Sequence, residues 1–128
     1  AVNQAAENGA TPLLIACRRG HVDIVRLLLE AGAAVGQAMN NGATPLLIAC
    51  QNGHLECARL LLAGGAALNH PMDSGATPLH IASQNGHAPC LELLIAAKAD
   101  VNAENSNGAS PTYIASENGH VDVGRMML

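Results

Sequence analysis

Four histidines, His21, His54, His87 and His120, stand 33 residues apart, each directly after a glycine. Imidazoles in a ladder could hold metal, and Cys17 and Cys50 each lie four residues before one of them, a spacing that could pair a nucleophile with its base. Zinc needs several ligand atoms about 2 Å from one ion. A ladder with one ring per packed layer spaces its members by roughly 10 Å, so neighbouring rings cannot share a metal. The Cys-His pairs would share a face only on an unbroken helix, and Gly20 and Gly53 interrupt it. The cysteine position is Ser83 and Ser116 in the later copies, so its common property is small size. The ladder therefore predicts rings that satisfy backbone groups between adjacent turns. Neither catalytic residues, metal ligands nor a cofactor site are expected.

The elements that position these residues are written four times. Thr77-Pro78-Leu79-His80-Ile81-Ala82-Ser83-Gln84-Asn85-Gly86-His87 has counterparts starting at Thr11, Thr44 and Ser110. A Thr or Ser hydroxyl caps a helix N-terminus, and proline at the first helical position gives up a donor the helix could not use. Glycine supplies the left-handed residue that ends this short helix. A second helix follows at once, as in Cys90-Leu91-Glu92-Leu93-Leu94-Ile95, apolar nearly all round and so covered on two sides. The spacing predicts helices near 12–19 and 22–31, 45–52 and 55–64, 78–85 and 88–97, with a fourth pair that stops short at Met126-Met127-Leu128. Asn8-Gly9, Asn41-Gly42, Ser74-Gly75 and Asn107-Gly108 mark tight turns between the pairs. Pro89 falls in a first turn, where its missing donor is harmless. Two departures weaken the pattern: Lys98 stands where Gly32 and Gly65 close a second helix, and Gly124 replaces Val25, Ala58 and Leu91 inside the last helix.

A 33-residue period with a T-P-L-H-x-A core resembles the ankyrin repeat along the whole chain. The resemblance implies an all-α solenoid of stacked helix-turn-helix units with hairpin-like finger loops. It reads as one array over 1–128, with a finger at 1–10 and repeats starting at 11, 44, 77 and 110, the last truncated. Starting and ending inside repeats, the sequence reads as an excised piece whose exposed repeat ends invite self-association. The resemblance also implies non-catalytic binding of another protein on a concave face made by the fingers and first helices. The residues carried over are Glu7, Asn8, Arg18 and Arg19, then Asn40, Asn41, Gln51 and Asn52. The third and fourth repeats add Asp73, Ser74, Gln84 and Asn85, then Ser106, Asn107, Glu117 and Asn118. Hot spots favour Trp, Tyr and Arg, which singles out Arg18, Arg19 and Tyr113, the one aromatic residue. Ankyrin fingers also serve an asparaginyl hydroxylase that takes Asn after an acid-aliphatic pair with a Leu eight residues earlier. Leu94 and Asp100-Val101-Asn102 have that form, whereas Asn3 and Asn69 match it only in part. The alternative role is a structural spacer or self-assembling unit.

Composition limits the remaining classes. Apolar residues make up 49% of the chain, mostly small and aliphatic, which suits thin packed layers better than one aromatic centre. The formal charge of −4 lies in the second half, and no basic stripe with interleaved aromatics offers itself to nucleic acid. No apolar run reaches membrane-spanning length, and no secretory leader pattern opens the sequence. Cys17 and Cys50, like Cys57 and Cys90, are 33 residues apart. Equivalent positions in neighbouring layers lie farther apart than the roughly 7 Å a disulfide spans. Free thiols in a reducing intracellular compartment such as the cytoplasm are expected.

Overall fold

The computed structural model describes all 128 residues and contains eight helices. They are α1 (Pro12–Arg19), α2 (Val22–Glu30), α3 (Pro45–Gln51), α4 (Leu55–Ala63), α5 (Pro78–Asn85), α6 (Ala88–Ala96), α7 (Pro111–Asn118) and α8 (Val121–Met126). The first helices α1, α3, α5 and α7 stack in one row, the second helices α2, α4, α6 and α8 in another, and each pair packs as a hairpin. The expected helices are present within one residue at each end. The second helices stop at Glu30, Ala63 and Ala96 because Ala31, Gly64 and Ala97 already serve as C-caps.

Each first helix begins by the same device. Thr11 and Thr44 Oγ1 accept from Leu14 and Leu47 N at 3.2 Å, and Ser110 Oγ from Tyr113 N at 3.2 Å. At Thr77 the cap is reciprocal. The His80 ring, 2% exposed, accepts the Thr77 N–H at Nδ1 (3.1 Å), while its Nε2–H donates to the Ala109 carbonyl (2.8 Å) in the next repeat. The carbonyl can only accept, which fixes the tautomer. Each first helix gives way to a left-handed glycine, Gly20, Gly53, Gly86 or Gly119, with φ between 70° and 72°. Lys98 adopts φ 75°, the only non-glycine residue in that region, as its place in the period foretells.

The core is a continuous wall between the two helix rows, running from Leu13 through Leu46, Leu61, Leu79, Leu91 and Leu94 to Val123. A smaller apolar cluster lies under the fingers, where Leu14, Leu47 and Ile48 meet Ile15, Met39, Met72 and Ile81. Leucine-sized groups fill both, so burial is spread along the array with no single centre. No helix is long and apolar enough to cross a membrane.

Candidate partner-binding surface

The fingers are closed by short backbone bonds, Ala6 N to Ala10 O and Met39 N to Ala43 O at 2.9 Å, with Met72 and Asn105 repeating them. Successive fingers are joined tip to tip: Asn40 N donates to Asn8 O, Asp73 N to Asn41 O and Ser106 N to Ser74 O, at 2.9 to 3.0 Å. The histidine ladder joins successive first helices. His54, His87 and His120 Nε2 donate to the carbonyls of Arg18, Gln51 and Gln84 at 2.9 to 3.0 Å. Each ring lies so close to the preceding repeat's glycine that a Cβ on Gly20, Gly53 or Gly86 would sit 2.6 to 2.8 Å from it. These glycines thus meet two demands, a positive φ and a ring against the backbone. Both sets of bonds hold fingers and first helices in register, which is what a shared surface requires.

The residues singled out from the sequence fall on this finger and first-helix face, and all are exposed except Arg18, which is half-buried. Their availability differs. Asn40 Nδ2 donates to the Glu7 carbonyl (2.8 Å), Asn52 Nδ2 to Ile48 (2.9 Å), Asn85 Nδ2 to Gln51 (3.0 Å) and Asn118 Nδ2 to Ile114 (2.8 Å). Asn41 Oδ1 and Ser74 Oγ accept from Ala43 and Ala76 N. Arg18 Nη2 reaches the Met39 sulfur at 3.5 Å, so its guanidinium leans on the next finger. Glu7, Arg19, Gln51, Asp73, Gln84, Ser106, Asn107, Tyr113 and Glu117 make no side-chain hydrogen bond within the chain and are the polar groups free to meet a ligand. Tyr113 is 59% exposed and borders a depression shared with Asn105, Asn107, Ile114 and Glu117.

Two features escaped the sequence reading. The half-buried Ile15, Met39, Met72 and Ile81 lay an apolar floor beneath the polar side chains. Isoleucine recurs at 15, 48, 81 and 114, and Met39 and Met72 also stand 33 residues apart, so both were readable signals. The second feature is the thiol arrangement. All four cysteines are free and buried, but the close contact is between Cys50 and Cys90, on the first helix of one repeat and the second helix of the next, and not between repeat equivalents. The neighbouring Cys90 thiol and the dry setting hold the Cys50 thiol well above its ordinary 9.0, and the Cys50 thiol beside it pulls Cys90 down. Burial, with Cys57 nearby, pushes Cys17 up to about 12. Burial is also the chief cause raising Cys57. A nucleophilic cysteine needs an accessible thiolate. Here Cys50 faces Cys90, while His54 faces the Arg18 carbonyl, so the Cys-x-x-x-His spacing does not bring a base to a thiol.

A family model described as ankyrin repeats (3 copies) matches residues 1–72 and 64–128. No curated protein matches the sequence.

Proposed function

Because the chain belongs to the ankyrin-repeat family, whose domains bind protein partners and are typically non-catalytic, we propose that it is a binding module whose concave finger and first-helix face receives a partner protein. The observation that carries this reading is the gathering of Arg19, Gln51, Gln84, Asp73, Tyr113 and Glu117 on that one face, each exposed and without an internal side-chain partner. They stand on a scaffold stitched by finger and histidine bonds. The second helices offer less: Arg26 is held by Asp23 at 3.2 Å and Arg59 by Glu56 at 3.7 Å. Charge runs from Arg18 and Arg19 at one end to Asp73, Glu104 and Glu117 toward the other, an asymmetry that sets on-rate and register. Reversing Arg18 and Arg19 to Glu slows association with a partner recovered from the parent cell about tenfold and flattens its salt dependence. Reversing Arg59 and Glu92 leaves the rate unchanged. The opposite pattern in stopped-flow binding would move the site to the second-helix side. Four free, buried thiols support placement in a reducing intracellular compartment.

A second reading, modification at Asn102, is favoured by one contrast. Asn3 Oδ1 accepts from Ala34 N (2.8 Å) and Asn69 Oδ1 from Asp100 N (3.0 Å), so both amides hold the following repeat. The Asn102 side chain is exposed and makes no such bond, while its N–H is tied to Asp100 Oδ1 at 3.0 Å. Incubation with an asparaginyl hydroxylase adds one oxygen to the peptide holding Asn102 and none to that holding Asn69. Mass spectrometry showing the reverse removes this reading.

A further inference from the structure

Asparagine is followed by glycine at Asn8, Asn41, Asn52, Asn85, Asn107 and Asn118. Glycine carries no side chain to shield its nitrogen, so in each dipeptide that nitrogen can attack the Asn side-chain carbon once the carboxamide turns toward it. Hydrogen bonding decides which carboxamide can turn. In the fingers, Asn8 Oδ1 accepts from Ala10 N and Asn41 Oδ1 from Ala43 N, both at 3.0 Å. At the ends of the first helices, Asn52, Asn85 and Asn118 Nδ2 donate to the Ile48, Gln51 and Ile114 carbonyls at 2.8 to 3.0 Å. Asn107 alone is untied: its side chain is exposed and makes no hydrogen bond within the chain. The cause lies inside the fourth finger. Where the earlier fingers have Ala6, Met39 and Met72, this one has Asn105, whose Oδ1 accepts from Asn107 N at 2.9 Å and Ala109 N at 3.0 Å. Ala109 N is the counterpart of Ala10 N and Ala43 N, so Asn105 takes the donor that would otherwise hold Asn107. Neither exposure nor the turn itself separates these sites. Asn41 is exposed even with the next finger bonded to its carbonyl, and Gly9, Gly42 and Gly108 N all donate across their turns at 2.9 Å.

We propose that Asn107 is a site of spontaneous deamidation, converting ahead of the other Asn-Gly positions. The Gly108 nitrogen forms a bond to Asn107 Cγ and gives up its proton, and the Cγ–Nδ2 bond breaks to release ammonia, leaving a cyclic imide. One water then opens the ring. Attack at the side-chain carbonyl gives aspartate, and attack at the backbone carbonyl gives isoaspartate, which lengthens the main chain of the tip by a methylene. Water is the only co-reactant. Either product places a carboxylate in the depression that Asn107 shares with Glu117. On the reading that this face receives a partner protein, conversion makes the acidic end of the surface more acidic and so alters the register that charge imposes.

Incubation of the 128-residue chain in neutral buffer, with peptide mass spectrometry over time, tests this. The peptide holding Asn107 is expected to show an amide turned to acid about fivefold sooner than those holding Asn8 and Asn41, the factor by which one net hydrogen bond holds a side chain. Asn105→Ala writes the first finger's residue into the fourth and releases Ala109 N to hold Asn107. It is expected to slow the conversion about fivefold, with circular dichroism confirming that the variant folds. A looser last repeat would speed both chains alike, so the variant separates the two causes. Conversion at Asn8 or Asn41 as fast as at Asn107, or an Asn105→Ala chain that converts at the parent rate, overturns the proposal. The measurement reads the modification itself and uses no partner, so its failure leaves the binding role of the face standing.

Discussion

Repeats two and four obey the same local rules and are buried to very different degrees. Both begin on a hydroxyl cap, place proline at the first helical position and send a histidine to the carbonyl of the preceding repeat. Yet α3 buries Pro45, Leu46, Leu47, Ile48, Ala49 and Cys50, while α7 buries only Pro111 and Ala115. The cause is cover. The trailing side of α3 lies under α5, and that of α7 faces solvent, where Tyr113 and Ser116 occupy the places of Leu47 and Cys50. Capping and hydrogen bonding set the shape of a repeat, whereas its stability comes from having a neighbour on each side.

The largest test truncates the side chain to alanine at equivalent positions. Leu47→Ala, at a site 1% exposed, is expected to cost about 3 kcal/mol through lost burial and the cavity left behind. Tyr113→Ala is expected to cost less than about 1 kcal/mol, because that ring is already more than half in water. Chemical denaturation of the two variants gives both values, and comparable losses would show that cover is not what separates the repeats. A smaller test adds a bond. Position 36 has glycine where Asn3 and Asn69 tie the following finger, so Ala67 N has no counterpart of the acceptors to which Ala34 N and Asp100 N donate. Gly36 does not use a positive φ, and no atom lies within 4 Å of a Cβ there. Gly36→Asn is expected to stabilise the array by about 1 kcal/mol through a new acceptor for Ala67 N and a stiffer unfolded chain. Asn102→Ala, in the 128-residue chain whose Asn102 side chain makes no hydrogen bond, is expected to leave the midpoint unchanged. A matching loss at Asn102 would mean that the amide acts within its own loop.

The helices, their caps and the left-handed glycines were legible because they follow from neighbouring residues: Thr77 beside Pro78, Gly86 at the end, even Lys98 in the glycine's place. What crosses from one repeat to the next was less legible. Cys50 meets Cys90 through the offset between a first helix and the second helix of the following layer, a distance that the 33-residue period conceals. The apolar floor of Met39 and Met72 depends on where the fingers lie over the first helices. On the partner-facing surface, the sequence showed which residues stand at the fingers and helix ends. It did not show that Asn40, Asn52, Asn85 and Asn118 spend their amides on nearby carbonyls. Side chains of identical type and exposure were thereby divided into free and engaged groups by backbone geometry alone.

The reach of each histidine back to the carbonyl of the preceding repeat also has a meaning for biosynthesis. A ribosome delivers each repeat before the one that covers it: Leu13, Leu14 and Cys17 gain their cover only when α3 follows, and the Arg18 carbonyl gains its donor only with His54. Each layer of the nascent chain is thus completed by the one translated after it. A single uncovered apolar edge travels along the growing polypeptide like a wavefront, occupied in turn by Leu13, Leu46 and Leu79. When α7 emerges, the edge becomes Thr112 and Ser116, and the stickiness that would engage a holding chaperone drops at that codon.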